Sequence, residues 1–149
     1  MKKILILIDN PKRDLLGNIF LAIEFLKKKK LEIYLTPYNL AEKEILSISP
    51  DIVVYNYLRF QNSKIISLAD KLNIKSVVLD TEGGAFEKDH DFINSIQYNE
   101  KLRNKILYLC WGEKYSGMLK KKYKNIDFIT TGQPRFDVYH PKFLRLLRN

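Results

Sequence analysis

Short apolar runs alternate with longer amphipathic stretches along this chain. Lys3 to Ile8, Leu31 to Leu35, Asp51 to Tyr57, Ser76 to Leu79, Ile106 to Cys110 and Asp127 to Thr130 are each bounded by polar or turn residues. Continuous short runs rich in β-branched and aromatic residues predict buried strands, here six of them. Between them the period changes to that of a helix. Leu16, Ile19, Phe20, Ile23 and Leu26 recur at helical spacing, which predicts a helix over 15–29 with those residues as one buried stripe. Further helices are expected over 40–47 (with Leu40, Ile45, Leu46 and Ile48), over 63–72 (with Ile65, Ile66, Leu68, Ala69 and Leu72 inward), over 92–103 and over 114–123. One more is expected from Pro141 onward. A long polar loop, Glu82 to Asp91, separates the fourth strand from its helix.

Strand–helix alternation throughout predicts an α/β fold: a Rossmann-like three-layer sandwich around a mostly parallel sheet of about six strands. A single domain is expected over 1–140. The segment 141–149 is expected to be a helical tail or the start of an interdomain connection. No repeat, internal linker or low-complexity stretch interrupts the pattern.

Composition narrows the class. The chain has 149 residues, of which 46% are hydrophobic and 12% aromatic, which is enough for a core and excludes a wholly disordered polypeptide. Its one cysteine, Cys110, lies in an apolar run and is expected to be a buried small residue rather than a disulfide or zinc partner. That usage suits a reducing, cytoplasmic setting. The amino terminus, MKKILILID, resembles a signal peptide only briefly, because the apolar run is short and Asp9-Asn10-Pro11 follows it. Nothing approaches the ~18 apolar residues of a membrane span.

Net charge is +9, from 26 basic and 17 acidic residues. The excess gathers in Lys27 to Lys30, Lys120 to Lys124 and Lys142 to Arg148. Such clusters either end helices, where cations suit the dipole, or dock on the anionic inner face of a membrane. Nucleic acid is disfavoured as a partner, since no interleaved aromatic stacking motif accompanies the charge.

Right-handed crossovers place every strand's carboxyl end on one edge. Asn10, Lys12, Arg13, Asp14, Gly17 and Asn18 follow strand 1; Asn56, Tyr57 and Arg59 follow strand 3. Strand 4 leads into Asp80-Thr81-Glu82-Gly83-Gly84, strand 5 into Trp111-Gly112-Glu113, and strand 6 into Thr131-Gly132-Gln133-Pro134-Arg135-Phe136-Asp137. Glu82 could act as a general base if burial lifts its pKa toward neutrality. The structural alternative is that Asp80 or Thr81 caps a turn and Glu82 is merely solvated. Gly83 and Gly84 would let a ligand approach the backbone. Arg135 and Asp137, held on a stiff segment after Gly132 and Pro134, could position a substrate or pair with each other. Neither a dinucleotide fingerprint nor a P-loop occurs, and His90 and His140 lack ligand spacing, so no metal or cofactor is expected.

The combination of Leu79-Asp80-Thr81-Glu82-Gly83-Gly84, Cys110-Trp111-Gly112 and Thr131-Gly132-Gln133-Pro134-Arg135-Phe136-Asp137 resembles bacterial surface-carbohydrate biosynthesis proteins, which are glycosyltransferase-like and of the GT-B type. Arg13-Asp14-Leu15-Leu16 with Leu21-Ala22 is similar to the opening of their first helix. The G-x-P-R-x-D element is also similar to one in CDP-glycerol glycerophosphotransferases. The resemblance spans essentially the whole chain and implies the amino-terminal, acceptor-side half of a two-domain enzyme. It implies Glu82, and after it Asp80, as the base that activates an acceptor hydroxyl. From their place on the strand-end loops, Arg13, Gly17, Asn56, Arg59, Gly83, Gly84, Trp111, Gly132, Arg135 and Asp137 are the expected substrate-binding positions. A glycan or lipid-linked acceptor is the implied partner, with the nucleotide-sugar donor held mainly by a second domain that this chain is expected to lack. A free-standing sugar- or nucleotide-binding module is the non-enzymatic alternative, and a homodimer through the interdomain face is a further expectation.

Overall fold

The computed structural model describes residues 1–28, 30–82 and 86–141. Six strands, β1 (Lys2–Ile8), β2 (Leu31–Pro37), β3 (Ile52–Tyr55), β4 (Lys75–Leu79), β5 (Ile106–Cys110) and β6 (Ile126–Thr130), form one sheet in the order β2-β1-β3-β4-β5-β6. Every neighbouring pair is parallel. Five α-helices flank it among the described residues: α1 (Leu16–Leu26), α2 (Ala41–Ile48), α3 (Phe60–Lys71), α4 (Asp89–Ser95) and α5 (Glu113–Lys122). The arrangement is the expected Rossmann-like three-layer sandwich.

Strand alternation splits the apolar residues between two cores. Leu5, Leu7, Val53, Tyr55, Val78 and Tyr108 point to one face, where they meet Ala41 and Ile45 of α2, Ile65, Ile66 and Ala69 of α3, Phe92 of α4 and Leu119 of α5. Ile4, Ile6, Ile8, Val54 and Leu79 point to the other, against Leu21 and Phe25 of α1. Helices α2 to α5 cover the first face; on the second, α1 packs over Ile4, Ile6, Ile8 and Val54, while Val77, Leu107 and Leu109 line a cavity and Ile129 is exposed. Apolar residues on both faces are why the strands read as continuous apolar runs. After β6 a tight 3-10 turn, Pro134–Tyr139, packs against α1.

This topology fixes where a site can form. The chain leaves β1 for β2 on one side, then returns across β1 to β3 on the other. This reversal is where open parallel sheets ordinarily form a ligand crevice, and the loops after β1, β3 and β4 meet there through Arg13, Arg59 and Glu82.

Several expectations need correction. The helix expected over 15–29 is shorter: Pro11–Leu15 forms a π-helical turn and α1 ends at Leu26. Its packed face is also different, since Leu16, Ile23 and Leu26 are exposed while Gly17, Asn18, Phe20 and Ala22 are buried. The reason lies at Gly17, where a Cβ would stand 2.7 Å from the backbone nitrogen of Arg135. The helix is rotated to bring this residue without a side chain against the 3-10 turn, which turns some of the apolar stripe outward. The helix expected over 92–103 starts earlier and stops at Ser95. Beyond it the backbone is used elsewhere: Gln97 N–H donates to the Leu58 carbonyl, and the Asn99 side chain accepts from Lys101 N–H. In α2, Leu46 is exposed and Ala41 takes the buried position beside Ile45. The tail expected as a helix, 142–149, lies outside the described residues, as do Gly83 and Gly84.

Candidate functional site

The crevice is built from the loops that follow β1, β3 and β4. After β1, Asn10 caps the π-helical turn by accepting from Lys12 N–H. Asp14 is buried beneath it and accepts from Asn10 N–H at 3.1 Å. Arg13 is thereby held twice over, donating to Asp14 Oδ1 through Nε at 2.6 Å and to Oδ2 through Nη2 at 3.1 Å. Its remaining nitrogen, Nη1, crosses the crevice to Glu82 Oε1 at 2.6 Å. The Asp14 hydrogen bond, more than any other contact, raises the Arg13 pKa, so its charge is permanent.

From the β3 side comes Arg59, which precedes α3 in extended conformation. Its guanidinium lies between the rings of Tyr57 and Phe86, at 4.8 and 5.2 Å from their centroids. Stacking of this kind orients the planar cation and leaves its in-plane donors free. One of them, Nη1, donates to Glu82 Oε2. Nε and Nη2 are buried with no hydrogen-bond partner among the described residues.

Glu82 is therefore partly exposed but paired, and it is not raised toward neutrality. Burial pushes its carboxyl up, but the hydrogen bond and charge of Arg59, with those of Arg13, outweigh burial and hold the pKa below the ordinary carboxylate range. The condition under which Glu82 would be a strong base is not met in this arrangement. It is instead an ionised acceptor clasped between two loops.

Asp80 behaves oppositely. It is 1% exposed, and burial pushes its carboxyl up despite hydrogen bonds from Tyr108 and the Glu82 backbone. Oδ1 accepts from Glu82 N–H at 2.7 Å, closing the turn that carries Glu82, and Oδ2 accepts from the Tyr108 hydroxyl. Its carbonyl accepts from Gln133 Nε2 at 2.8 Å and from the Trp111 indole. One residue thus ties the end of β4 to β5 and to the loop after β6. The turn-capping alternative is what Asp80 does. Asn56 has a similar role at the end of β3: it is buried, its carbonyl accepts from Thr81 N–H at 2.8 Å, and its side chain accepts from Asn62.

Trp111 extends the site as a platform. Phe136 meets it edge-on at 5.3 Å, and the Arg135 guanidinium sits 4.7 Å from the indole and 5.0 Å from the Phe136 ring. Of the two readings of Arg135 and Asp137, the mutual ion pair is not formed: among the described residues no carboxylate lies within ion-pair distance of Arg135. Asp137 and Gly132 instead line a different cavity, about 470 Å3, on the α1 face of the sheet with Leu21, Phe25, Val54 and Leu109. Gly132 takes a left-handed φ of 79°, which sharpens the turn after β6.

Of the positions expected to carry function, Arg13, Arg59, Asp80 and Glu82 converge directly, Asn56 supports them from beneath, and Trp111 with Arg135 adjoins them. Gly17 acts from behind by letting α1 approach the Arg135 backbone. Gly132 and Asp137 stand apart, and Gly83 and Gly84 lie outside the described residues. Sequence reasoning passed over Tyr108 and assigned no role to Gln133. A tyrosine in a fully buried strand needs a partner for its hydroxyl, and Asp80 two residues past the neighbouring Val78 was the available acceptor. Cys110 is buried as expected, and burial pushes its thiol up to about 11. His90 is exposed beside Asp91, and among the described residues no cluster of metal-ligating side chains occurs.

Chemically, the crevice offers one ionised carboxylate, two oriented guanidinium groups and an indole face. That set suits a polar, hydroxyl-bearing ligand: carboxylate and guanidinium exchange hydrogen bonds with hydroxyls, and the ring packs against the ligand's C–H face. The chain matches no protein-family model and no curated protein.

Proposed function

We propose that this chain is the acceptor-side domain of a GT-B-type glycosyltransferase of bacterial surface-polysaccharide synthesis, binding a glycan or lipid-linked acceptor in the crevice at the β1/β3 reversal. The observation that carries the reading is Glu82, presented at that crevice and held by one arginine from each flanking loop. The motif resemblance over the same residues supports it. An inverting transfer needs a carboxylate on the acceptor oxygen and cationic stabilisation of the departing nucleotide diphosphate. Glu82 supplies the first by accepting a hydrogen bond from the acceptor hydroxyl. Its basicity rises when a guanidinium turns from it to a ligand, because the ion pairs are what depress its pKa. A second, nucleotide-binding domain would hold most of the donor. The exposed lysines at the end of α5, Lys120 to Lys122, suit contact with an anionic membrane that carries the acceptor.

The test is transfer from a panel of nucleotide sugars, with CDP-glycerol alongside, to surface-glycan acceptors by the full-length two-domain enzyme and its Glu82→Gln variant, with glycan binding measured on this chain. Loss of general-base catalysis predicts a fall of ~10²–10⁴-fold with unchanged circular dichroism. Near-normal transfer by the variant removes Glu82 from the chemistry. Transfer from CDP-glycerol alone would replace the sugar transferase by a polyol-phosphate transferase, and failure of any glycan to bind would end the acceptor reading.

A further inference from the structure

Beside the Glu82 crevice lies a second cleft, about 340 Å3, between the π-helical turn, the start of α1 and the 3-10 turn. Lys12, Arg13 and Arg135 line it, together with Phe136 and Tyr139. Its cations are not equivalent. Arg13 is neutralised by Asp14, Glu82 and Asp9, the last at 3.3 Å. Lys12 and Arg135 have no carboxylate within ion-pair distance among the described residues. Two unneutralised cations thus face one concavity in a region otherwise laced with ion pairs.

The position of Arg135 is built rather than incidental. Pro134 opens its turn, Gly17 allows its backbone to sit within 2.8 Å of where a Cβ would be, and the mutually perpendicular Trp111 and Phe136 rings pack against the guanidinium at 4.7 and 5.0 Å. The rings anchor the guanidinium, and with no carboxylate on its N–H groups among the described residues its fork is left to receive two oxygens of one phosphate. Lys12 adds a mobile point charge from the opposite loop.

We infer that this cleft binds a phosphate group, with Arg135 as the bidentate donor and Lys12 as its counter-charge. The inference rests on the transferase reading for its sense, since it makes the ligand beside Glu82 a phosphorylated one. The phosphate can belong to a soluble nucleotide or sugar phosphate or to a lipid headgroup, and the two sources are separable by experiment.

Trp111 is the single tryptophan of the chain and touches Arg135, so its fluorescence reports the cleft directly. Inorganic pyrophosphate is titrated into wild type, Arg135→Gln, Arg135→Lys and Lys12→Gln, with calorimetry in parallel. Wild type should bind with an affinity that falls as salt rises. Arg135→Gln should weaken binding by ~10-fold or more, and Arg135→Lys should recover only some of it, because charge returns without the fork. Lys12 is exposed, so Lys12→Gln should weaken binding severalfold without any change in melting temperature, which keeps the test independent of folding. The same proteins are then mixed with phosphatidylcholine vesicles with and without phosphatidylglycerol. Loss of pyrophosphate binding alone assigns a soluble phosphate; joint loss of pyrophosphate and phosphatidylglycerol-vesicle binding assigns a headgroup. No pyrophosphate binding by wild type, or equal binding by all four proteins, overturns the inference. Glycan binding without pyrophosphate binding would leave the acceptor reading standing and remove this one, and the reverse outcome would do the opposite.

Discussion

Replacing glycine by alanine inside a helix ordinarily stabilises a protein, and this fold contains two such sites with opposite expected signs. Gly117 lies in α5 with nothing within 4 Å of an added Cβ. There, Gly117→Ala gains about 0.5–1 kcal/mol from reduced unfolded-state freedom and better helix propensity. Gly17 begins α1, and an added Cβ would stand 2.7 Å from the Arg135 backbone nitrogen, 2.8 Å from its Cα and 3.1 Å from its Cβ. Two of these atoms are backbone, so no side-chain rotation relieves the clash. Forcing an extra methyl into such a contact costs typically about 1–3 kcal/mol. The propensity gain of at most about 1 kcal/mol offsets only a fraction of that cost. Gly17→Ala is therefore destabilised by roughly 1–2 kcal/mol net, which lowers the melting temperature by about 2–8 °C in a domain of this size. Urea unfolding followed by far-UV circular dichroism measures both variants against wild type. Because the clash pushes on the segment that presents Arg135, Gly17→Ala should also weaken pyrophosphate binding, whereas Gly117→Ala should leave it unchanged. A Gly17→Ala protein as stable as wild type would refute the close approach of α1 to the 3-10 turn.

The other predictions concern groups whose protonation or partners the fold alters. Asp80 has a folded pKa above its unfolded value, so its contribution to stability is fully present below the unfolded pKa and is lost as pH rises through the folded one. Asp80→Asn should flatten that decline in urea-unfolding series taken between about pH 4 and 9, and a variant with the wild-type pH slope would contradict the assignment. Glu82 has the opposite sign: its folded pKa is depressed, so its contribution is present above the unfolded pKa and lost as pH falls through the folded value. Glu82→Gln should cost about 1–2 kcal/mol near neutrality, less than a fully buried pair because the carboxylate is partly exposed, and should lose the acid-side decline. Tyr108→Phe removes the hydroxyl that donates to buried Asp80 and should destabilise by about 1–3 kcal/mol in the same assay. Cys110, with its thiol pushed up to about 11 by burial, should react with a thiol reagent at mildly alkaline pH only after unfolding; rapid labelling of the native protein would contradict its burial.

Six apolar runs sufficed to foretell the sheet, because a parallel sheet with apolar residues on both faces leaves continuous apolar signatures along its strands. Right-handed connections then brought Arg13, Arg59 and Glu82 to one edge without any contact being known. What the chain did not disclose was geometry that apolar periodicity does not encode. The face of α1 is set by Gly17, a residue with no side chain to enter an apolar count. The early end of α4 is set by backbone partners far along the chain, the Leu58 carbonyl among them. The separation of Arg135 from Asp137 follows from a 3-10 turn that sends one toward Trp111 and the other toward the opposite cavity. Neighbouring residues in sequence had looked like neighbours in function.

The same distinction governs the two carboxylates at the end of β4. Residue type alone makes Asp80 and Glu82 interchangeable candidates for acid–base work, and environments that push paired carboxyl pKa values apart often identify catalytic pairs. Here the separation divides structure from chemistry instead. Asp80, raised by burial, spends both oxygens on Tyr108 and the Glu82 backbone and has no surface for a ligand. Glu82, lowered by arginines, stands at the open crevice with its charge fixed. Asp80 sets the turn, and the turn sets where Glu82 meets Arg13 and Arg59. A ligand anion that draws either arginine away would return basicity to Glu82, because the hydrogen bonds and charges of those arginines hold its pKa down. Phosphate bound in the adjoining cleft has such an arginine within reach, since Arg13 lines that cleft and bonds Glu82 at once. Arg13 thus joins the cleft to Glu82, and on the phosphate proposal occupancy of the cleft would change the proton affinity of Glu82 through that guanidinium.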